Sequence, residues 1–476
     1  MPADRTAIVR ELTRVVGVGH ALDAPAGSPY NRDGSDRRGI GGRADAVVLP
    51  GDAAEAAGVV AWCYEHDVPI VARGGGTGLV GGAVATHGGV VLSLERLRRV
   101  RELKPGLWRM FPEAGVSTAD VQRLARENGL FFGPDPGAAE QSQIGGNVAT
   151  NAGGPHALKH GVTGAWVAGM EVVLAPGEVV QVGGWAAKDV AGYDLKDLLI
   201  GSEGTLGVIT AVRLRLLPAP ESAIALMVFL RSPPAGCAAI VAIREAGLRL
   251  SVLDFMDGET LGMTAGAYPG EVPGGAGFAL ICELDGSRED TRAQRAALLE
   301  VMEGLGEAVL AVQEPPDARA LWRWRDGANP AVTVARGAKV SEDVVFPVER
   351  LAEGLERFEQ IARAHGLDSC AWGHGGEGNV HATVLVDPER ESELEEAAAV
   401  GEELFALVLE LGGSIAGEHG VGWSKRGRLE AQWGARAVEL HEQIKRAFDP
   451  KGLLNPETKL ARYPARSPGT TPGTST

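Results

Sequence analysis

From Asp45 onward the chain alternates short apolar runs with longer amphipathic stretches. AVVLP reads as a strand, DAAEAAGVVAWCYEHD as a helix, VPIVARGGG as a strand and turn, and VVLSLERL as a strand. Upstream, MPADRTAIVRELTRVV has the spacing of an amphipathic helix, and residues 21–43, rich in Gly, Pro, Asp and Arg, read as an extended lead-in. Further strands are expected at WRMFPEAG, MEVVLAPGEVVQVGG and GTLGVITAVRLRLLP, with a helix at STADVQRLARENG, before Pro218 and Pro220 mark a break. A second unit then begins at Ala223. ALMVFL and FALICELDG read as strands, with LRLSVLDFMD between them, and AGCAAIVAIREAG and REDTRAQRAALLEVMEGLG read as helices. Repeated strand and amphipathic helix predict an antiparallel sheet with helices on one face. Residues 348–366 and 388–411 read as further helices of that unit. The tail ARSPGTTPGTST has the composition of a disordered end. The class is α+β.

Composition narrows the function classes. A chain of 476 residues exceeds one ordinary core, so two or three domains are expected. A formal net charge of −16 argues against a nucleic-acid footprint and against an anionic membrane surface. The four cysteines are far apart and form no CxxC, which suits a reducing compartment without a disulfide framework. The N-terminus does not read as a signal peptide and no apolar run approaches the length of a membrane span. A cytoplasmic protein is expected, peripheral to a membrane only through a partner. Gly is abundant at 67 residues and clusters in a few segments.

The first cluster, Gly76-Thr77-Gly78-Leu79-Val80-Gly81, satisfies G-x-G-x-x-G after a strand, with Glu95 nineteen residues past its first glycine. On spacing alone this is a nicotinamide-type dinucleotide fingerprint. That motif needs a crossover helix after the turn. Here GAVATHGG leads straight into VVLSL, too short and too flexible for one, so the reading is rejected. The consecutive amides of Arg73-Gly74-Gly75-Gly76-Thr77-Gly78 can still form an anion-binding nest; a merely flexible loop is the alternative. Residues 145–154 (GGNVATNAGG) and 200–207 (IGSEGTLG) share the small, backbone-rich character expected where chain lies against a flat ligand.

Four ordered motifs, VARGGGTGLVGGA, GPDPGAAEQSQIGGNVATNAGG, DVAGYDLKDLLIGSEGTLGVIT and FDPKGLLNPETK, together resemble the FAD-linked oxidases with a vanillyl-alcohol-oxidase type FAD domain. The branch it most resembles is that of the D-lactate, D-2-hydroxyglutarate and glycolate dehydrogenases, over about Tyr30 to Lys459. The resemblance implies a two-part FAD-binding domain over 1–220. A substrate (cap) domain with an antiparallel sheet covered by helices would follow over 221–440. A segment returning to the FAD domain would span 441–462, before a disordered tail at 463–476. It implies that Arg73, Gly74, Gly75, Gly76, Thr77 and Gly78 hold the FAD pyrophosphate. Pro134, Asp135, Ser142, Gly145, Gly146, Asn147, Thr150 and Gly153 would line the cofactor, as would Glu203, Gly207, Ile209 and Asn455. Relatives with covalent flavin carry His or Cys in these loops. None stands between Arg73 and Gly82, so non-covalent FAD is implied.

A second informative region is Gly373-His374-Gly375-Gly376-Glu377-Gly378-Asn379-Val380-His381, followed later by Gly417-Glu418-His419-Gly420. His374, His381 and Glu418 supply two imidazoles and a carboxylate, the donor set of an open catalytic zinc or similar divalent site. A single His in a glycine loop is more often structural; two His and a Glu–His pair framed by glycines shift the balance. Glu418 and His419 are adjacent and reach one site only if the local turn bends the chain. The first segment resembles the G-H-x-G-D-G-N-x-H motif of the 2-hydroxy acid dehydrogenases, with Glu377 in place of its Asp. His419 is then the expected general base, since imidazole titrates near neutral pH. Trp322-Arg323-Trp324-Arg325 resembles the family's W-x-x-R, which makes Arg325 the expected bidentate clamp on a substrate carboxylate. Lys339 and Asn329 are weaker substrate-binding candidates, and an ordinary surface role is the alternative for each.

The expected activity is oxidation of a small D-2-hydroxy acid to the 2-oxo acid, with the hydroxyl deprotonated at a metal and hydride passed to FAD. Electrons would leave to a separate protein, a quinone or oxygen, since no iron–sulfur or haem pattern is present. A homodimer is open. The competing readings are an ether-lipid synthase type reaction on the same fold and a metal-dependent hydrolase.

Overall fold

The computed structural model describes residues 5–460, and the expected disordered tail at 463–476 lies outside them. The chain forms two compact units. The first holds the residues up to Ala152, Val162–Ala219 and those from Glu418 on; the second holds Gly153–Gly161 and Pro220–Gly417.

The first unit contains two main sheets. In the smaller, the order is Ala21–Leu22, Ala46–Val48, Val90–Ser93, Ile70–Arg73, and Val90–Ser93 runs parallel to both of its neighbours. The helix Ala53–Glu65 makes the crossover. Asp52 caps it by accepting from the Glu55 amide, and Ala56, Val59, Val60 and Cys63 are buried along its length. The helix Arg5–Val16 packs beside it, so closely that a Cβ at Gly58 would lie 2.8 Å from Val15. Between Arg73 and Val90 the chain makes turns and no helix, as the rejection of a crossover helix requires. The larger sheet is antiparallel, in the order Val100–Lys104, Arg109–Pro112, Val208–Arg215, Val167–Leu174, Glu178–Gly183. The helix Thr118–Glu127 and the short helix Ile144–Thr150 share its core.

The segment GGNVAT thus lies in a helix, not the open loop expected. Gly145 is tolerated there because the helix presses on a neighbouring chain; a Cβ at that position would stand 2.5 Å from the Ala114 Cβ. The return to the first unit also comes earlier than expected, at Glu418 and not at 441. The helix Ala435–Phe448 belongs there because Ile444 and Phe448 pack on the core around Val116, Val121 and Leu206.

The second unit is built on a seven-stranded sheet in the order Val309–Gln313, Ser222–Leu230, Phe278–Gly286, Val252–Asp257, Ser369–His374, Asn379–Val386, Ala338–Val345. Every pairing is antiparallel. Helices cover both faces, which corrects the expectation of one. The central strands are apolar on both sides. In Ser222–Leu230, Leu226, Val228 and Leu230 face the core beneath Pro233–Glu245, Arg288–Gly304, Leu351–Ala364 and Glu391–Glu410. Ala225, Met227 and Phe229 face the opposite core, closed by Gly258–Thr264, Ala318–Asp326 and Ala328–Arg336.

Candidate active site

In the first unit the glycine-rich segments converge. A Cβ built on Gly75 would lie 2.1 Å from the Gln141 carbonyl, and one on Gly74 would lie 3.4 Å from the Gly146 Cα. Backbone therefore packs directly on backbone. Among the described residues, no protein acceptor takes the amides of Gly74, Gly75, Gly76, Thr77 or Gly78. Such a run of unused donors is what a pyrophosphate nest requires.

Arg73 acts from behind this turn. Its guanidinium is buried, donates to the carbonyls of Arg32 (2.7 Å), Ala83 (3.2 Å) and Pro29 (3.3 Å), and fills the space a Cβ at Gly76 would need. Several other expected cofactor residues also turn inward. Ser142 and Asn147 both bond Thr118 Oγ1, at 2.7 and 2.6 Å, and Thr150 bonds the Gly146 carbonyl at 3.1 Å. Pro134 offers its carbonyl to Gln122, while Asp135 is half-buried beside it. Gly207 sits against Val172 and the Ile209 side chain is in the core of the larger sheet. Gly153 falls in the segment that clusters with the second unit, so it is not grouped with the other expected cofactor residues. What these loops present is backbone more than side chains.

Glu203 and Asn455 tie the loops together. Glu203 sits at φ +55°; its amide donates to the Ala149 carbonyl (2.7 Å), and Asn455 Nδ2 donates to the carbonyls of Glu203 (2.7 Å) and Gly82 (2.8 Å). The Glu203 carboxylate accepts from the amides of Val421 (3.0 Å) and Gly422 (2.7 Å) and from Lys459 Nζ (3.2 Å). It therefore anchors the turn that follows His419. The chain bends through Gly417, Glu418 and His419, and His419 Nε2 lies 3.8 Å from Glu418 Oε1. The two adjacent side chains thus point the same way, as a shared site needs.

In the second unit, strand register assembles the remaining chemistry on one sheet face. Residues directly opposite across an antiparallel pair share a face, as do residues two apart along a strand. Trp372 stands opposite His381, His381 opposite Asp343, and His374 opposite Asn379. Met256 stands opposite Trp372, so Asp254, two residues before it, joins the same face. The rings of His374 and His381 are 5.7 Å apart and edge-on, and both residues are buried. Asp254 Oδ1 accepts from His374 Nδ1 (2.7 Å) and Asp254 Oδ2 from Arg325 Nε (2.7 Å), with Nη2 also 2.7 Å away. Burial alone would raise the Asp254 carboxyl, but His374 and Arg325 bring it down to about 2. Arg325 comes from Ala318–Asp326, three residues after Trp322, whose indole donates to Glu283 on the same sheet face (2.9 Å).

Arg325 therefore has its Nε and Nη2 engaged by Asp254, and its Nη1 lies 3.6 Å from Asp326 Oδ1. Lys339 lies on the same face, stacks on Trp372 (4.6 Å to the ring) and bonds both the Asn329 carbonyl (2.9 Å) and its side-chain oxygen, so these two candidates form a pair. At the C-terminal edge of the unit, Asp343 accepts from Asn379 Nδ2 (2.7 Å) and from the Gly417 amide (2.8 Å). Glu418 is the next residue along the chain.

Residues 44–183 match the family described as FAD binding domain, and residues 219–458 match FAD linked oxidases, C-terminal domain. The glycolate oxidase subunit GlcD of Bacillus subtilis is 35% identical over 88% of this chain and 89% of its own. The chain belongs to the FAD-linked oxidases. A D-lactate dehydrogenase of Anaerostipes hadrus is 33% identical over 90% of this chain and 93% of the relative. A D-2-hydroxyglutarate dehydrogenase of Stutzerimonas stutzeri is 30% identical over 94% and 98%. Among solved structures, p-cresol methylhydroxylase with substrate bound aligns with TM-score 0.79 at 18% identity, over 96% of this chain and 97% of that one. An alkyldihydroxyacetonephosphate synthase aligns with TM-score 0.74 at 18% identity, over 94% and 84%. These two share the fold.

Membership supports FAD as the cofactor, and the unused amides of Gly74–Gly78 have the donor chemistry that a pyrophosphate requires. Two carboxylates of this FAD-linked oxidase, Asp254 and Asp343, were not singled out by sequence motifs, whereas Asn379 lies within the histidine motif. Asp254, Asp343 and Asn379 are buried polar groups bonded to the candidate site residues or to their chain neighbours. The signal that could have found Asp254 and Asp343 was their spacing. Each stands two residues from another inward position on a strand whose remaining positions are apolar or paired. No helix of the described residues is long and apolar enough to cross a membrane.

Proposed function

We propose that this FAD-linked oxidase oxidises a small D-2-hydroxy acid, of the D-lactate, glycolate or D-2-hydroxyglutarate type, to the corresponding 2-oxo acid. The relatives named for those three substrates support the substrate class. The observation that carries the chemistry is the polar face of the second unit's sheet, where His374, His381, Asp254 and Arg325 stand among apolar neighbours. His374 has its Nδ1 on a carboxylate, the arrangement that orients a metal-ligating imidazole and leaves Nε2 as the nitrogen that coordinates.

His374, His381 and Glu418 are the proposed ligands of a divalent metal, with zinc suited to two imidazoles and a carboxylate. Support for Glu418 is its covalent attachment to Gly417, whose amide Asp343 holds beside His381. When bound, FAD supplies the hydride acceptor and the metal polarises the substrate hydroxyl. Arg325 holds the substrate carboxylate, and Lys339 with Asn329 recognises a second polar group on longer substrates. His419 takes the hydroxyl proton at Nε2, and the carboxylate of Glu418 beside it stabilises the resulting imidazolium. FAD is held without a covalent bond, in keeping with a turn from Arg73 to Gly82 that carries no His or Cys. Electrons then pass to a separate acceptor.

Steady-state turnover with an artificial electron acceptor, across D- and L-lactate, glycolate and D- and L-2-hydroxyglutarate, tests the reading. Activity with at least one D-acid or glycolate and formation of the 2-oxo acid are expected. Turnover confined to L-acids, or to none, would overturn it.

A further inference from the structure

We propose that Asp254 is a positioning residue that couples the metal ligand His374 to the carboxylate clamp Arg325; this rests on the roles given to those two residues above. The carboxylate is 1% exposed and divided between two partners. Oδ1 accepts from His374 Nδ1 and Oδ2 accepts from Arg325 Nε, each at 2.7 Å. One buried anion thereby fixes two things. It sets the His374 tautomer, with the proton on Nδ1 and the lone pair on Nε2. It also fixes the rotation of the guanidinium, which it holds through Nε and Nη2.

The backbone explains why Asp254 can do this. It lies in the middle of Val252–Asp257, which pairs with Phe278–Gly286 on one side and with Ser369–His374 on the other. Its strand is therefore next to the one carrying His374, and Met256, two residues on, pairs with Trp372, two residues before His374. Arg325 reaches the same carboxylate from Ala318–Asp326, which packs on that face through Leu321 and Trp324. A neutral imidazole and a guanidinium share one anion, so the partners compete for its charge. Loss of Asp254 removes negative charge from behind His374 and weakens a metal held there. Loss of Arg325 leaves the whole of that charge to His374 and does not weaken the metal. A side chain that merely filled space would give no such difference in sign.

The experiment uses the FAD-loaded full chain, stripped of metal with a chelator, and measures uptake of Zn2+ and Mn2+ by competition with a metal-sensitive dye. Asp254→Asn is expected to bind metal about 10–100-fold more weakly than the parent, with its flavin content unchanged. Arg325→Met is expected to bind metal as tightly as the parent or a few-fold tighter, while KM for the hydroxy acid rises. Asp254→Glu, which keeps the charge but shifts it along a longer side chain, is expected to recover part of the metal affinity and serves if the Asn variant does not fold. Parent-like affinity in Asp254→Asn would overturn the coupling while leaving the metal reading intact. Equal weakening in Asp254→Asn and Arg325→Met would overturn it in favour of general loosening. A parent protein that takes up neither ion would overturn the metal reading, and the coupling with it.

Discussion

The carboxylate of Glu203 accepts from the amide of Gly422 at 2.7 Å, tying the loop between the helix Leu195–Leu199 and the strand Val208–Arg215 to the turn that follows His419. The Val421 amide donates to the other oxygen at 3.0 Å, so the side chain spans both donors of the turn. Glu203 was expected to line the cofactor. Its carboxylate holds the turn that follows the proposed base, and both residues belong to the first unit.

Replacing Glu203 with Gln leaves only one carbonyl oxygen for two amides and removes the charge. Hydrogen bonds to a charged group contribute about 1.5–3 kcal/mol each, so about 2–3 kcal/mol of stability should be lost. The turnover number should fall while KM changes little, because the base loses its placement and Arg325 does not. Thermal unfolding and steady-state kinetics on the flavin-loaded variant check both; an unchanged turnover number would count against the anchoring role.

His419→Ala removes the proposed base without touching the FAD loops. Reductive turnover with the preferred hydroxy acid should fall about 100- to 10,000-fold, the range for loss of a positioned general base. The flavin spectrum and content should be unchanged. Rapid-mixing measurement of flavin reduction separates this from a slower reoxidation step.

Gly75→Ala places a Cβ about 2.1 Å from the Gln141 carbonyl, a contact with backbone that no side-chain rotation relieves. One loop must move, at a cost of about 1–3 kcal/mol by analogy with overpacked cores. The variant should retain substoichiometric FAD after gel filtration, and added FAD should restore activity with a raised apparent Kd. Full retention of flavin would contradict the close apposition of residues 73–78 and 141–146.

Acid stability of the second unit should depend on Asp285. Burial raises its carboxyl, but His160 at 2.7 Å and the neighbouring Lys159 bring it down to about 2. An unfolded aspartate titrates near about 3.9, so the pairing stabilises the fold fully above that pH. The contribution is lost as pH falls from about 4 to about 2. Asp285→Asn should unfold at lower temperature than the parent at neutral pH, and the gap should narrow across that acid window. Melting curves from pH 2 to 5 check the slope.

Much of this organisation was legible in the residues themselves. The missing crossover helix after Gly81 excluded a nicotinamide fold, and the turns from Gly74 to Gly89 agree with that exclusion. The helices at Thr118–Glu127, Arg288–Gly304 and Glu391–Glu410 followed their apolar periodicity. What escaped notice has a common physical origin. The strand Ala338–Val345 carries Val340, Glu342 and Val344 on one face and Lys339, Ser341 and Asp343 on the other, and with polar residues on both faces it gave no apolar alternation from which a strand could be read. Asp254 hid inside VLDFMD because an apolar run does not reveal which of its positions is paired across the sheet. The inward turn of Ser142, Asn147 and Glu203 depends on partners distant in sequence, which no local motif contains.

Anaerobic mixing of the purified, flavin-loaded protein with D-2-hydroxy acids, before and after removal of divalent metal, tests metal-assisted flavin reduction most directly. Rapid bleaching of the oxidised flavin by at least one D-acid or glycolate is expected, strongly slowed by the chelator and restored by Zn2+ or Mn2+. Bleaching that proceeds at the same rate without metal, or no bleaching by any acid tested, would contradict it.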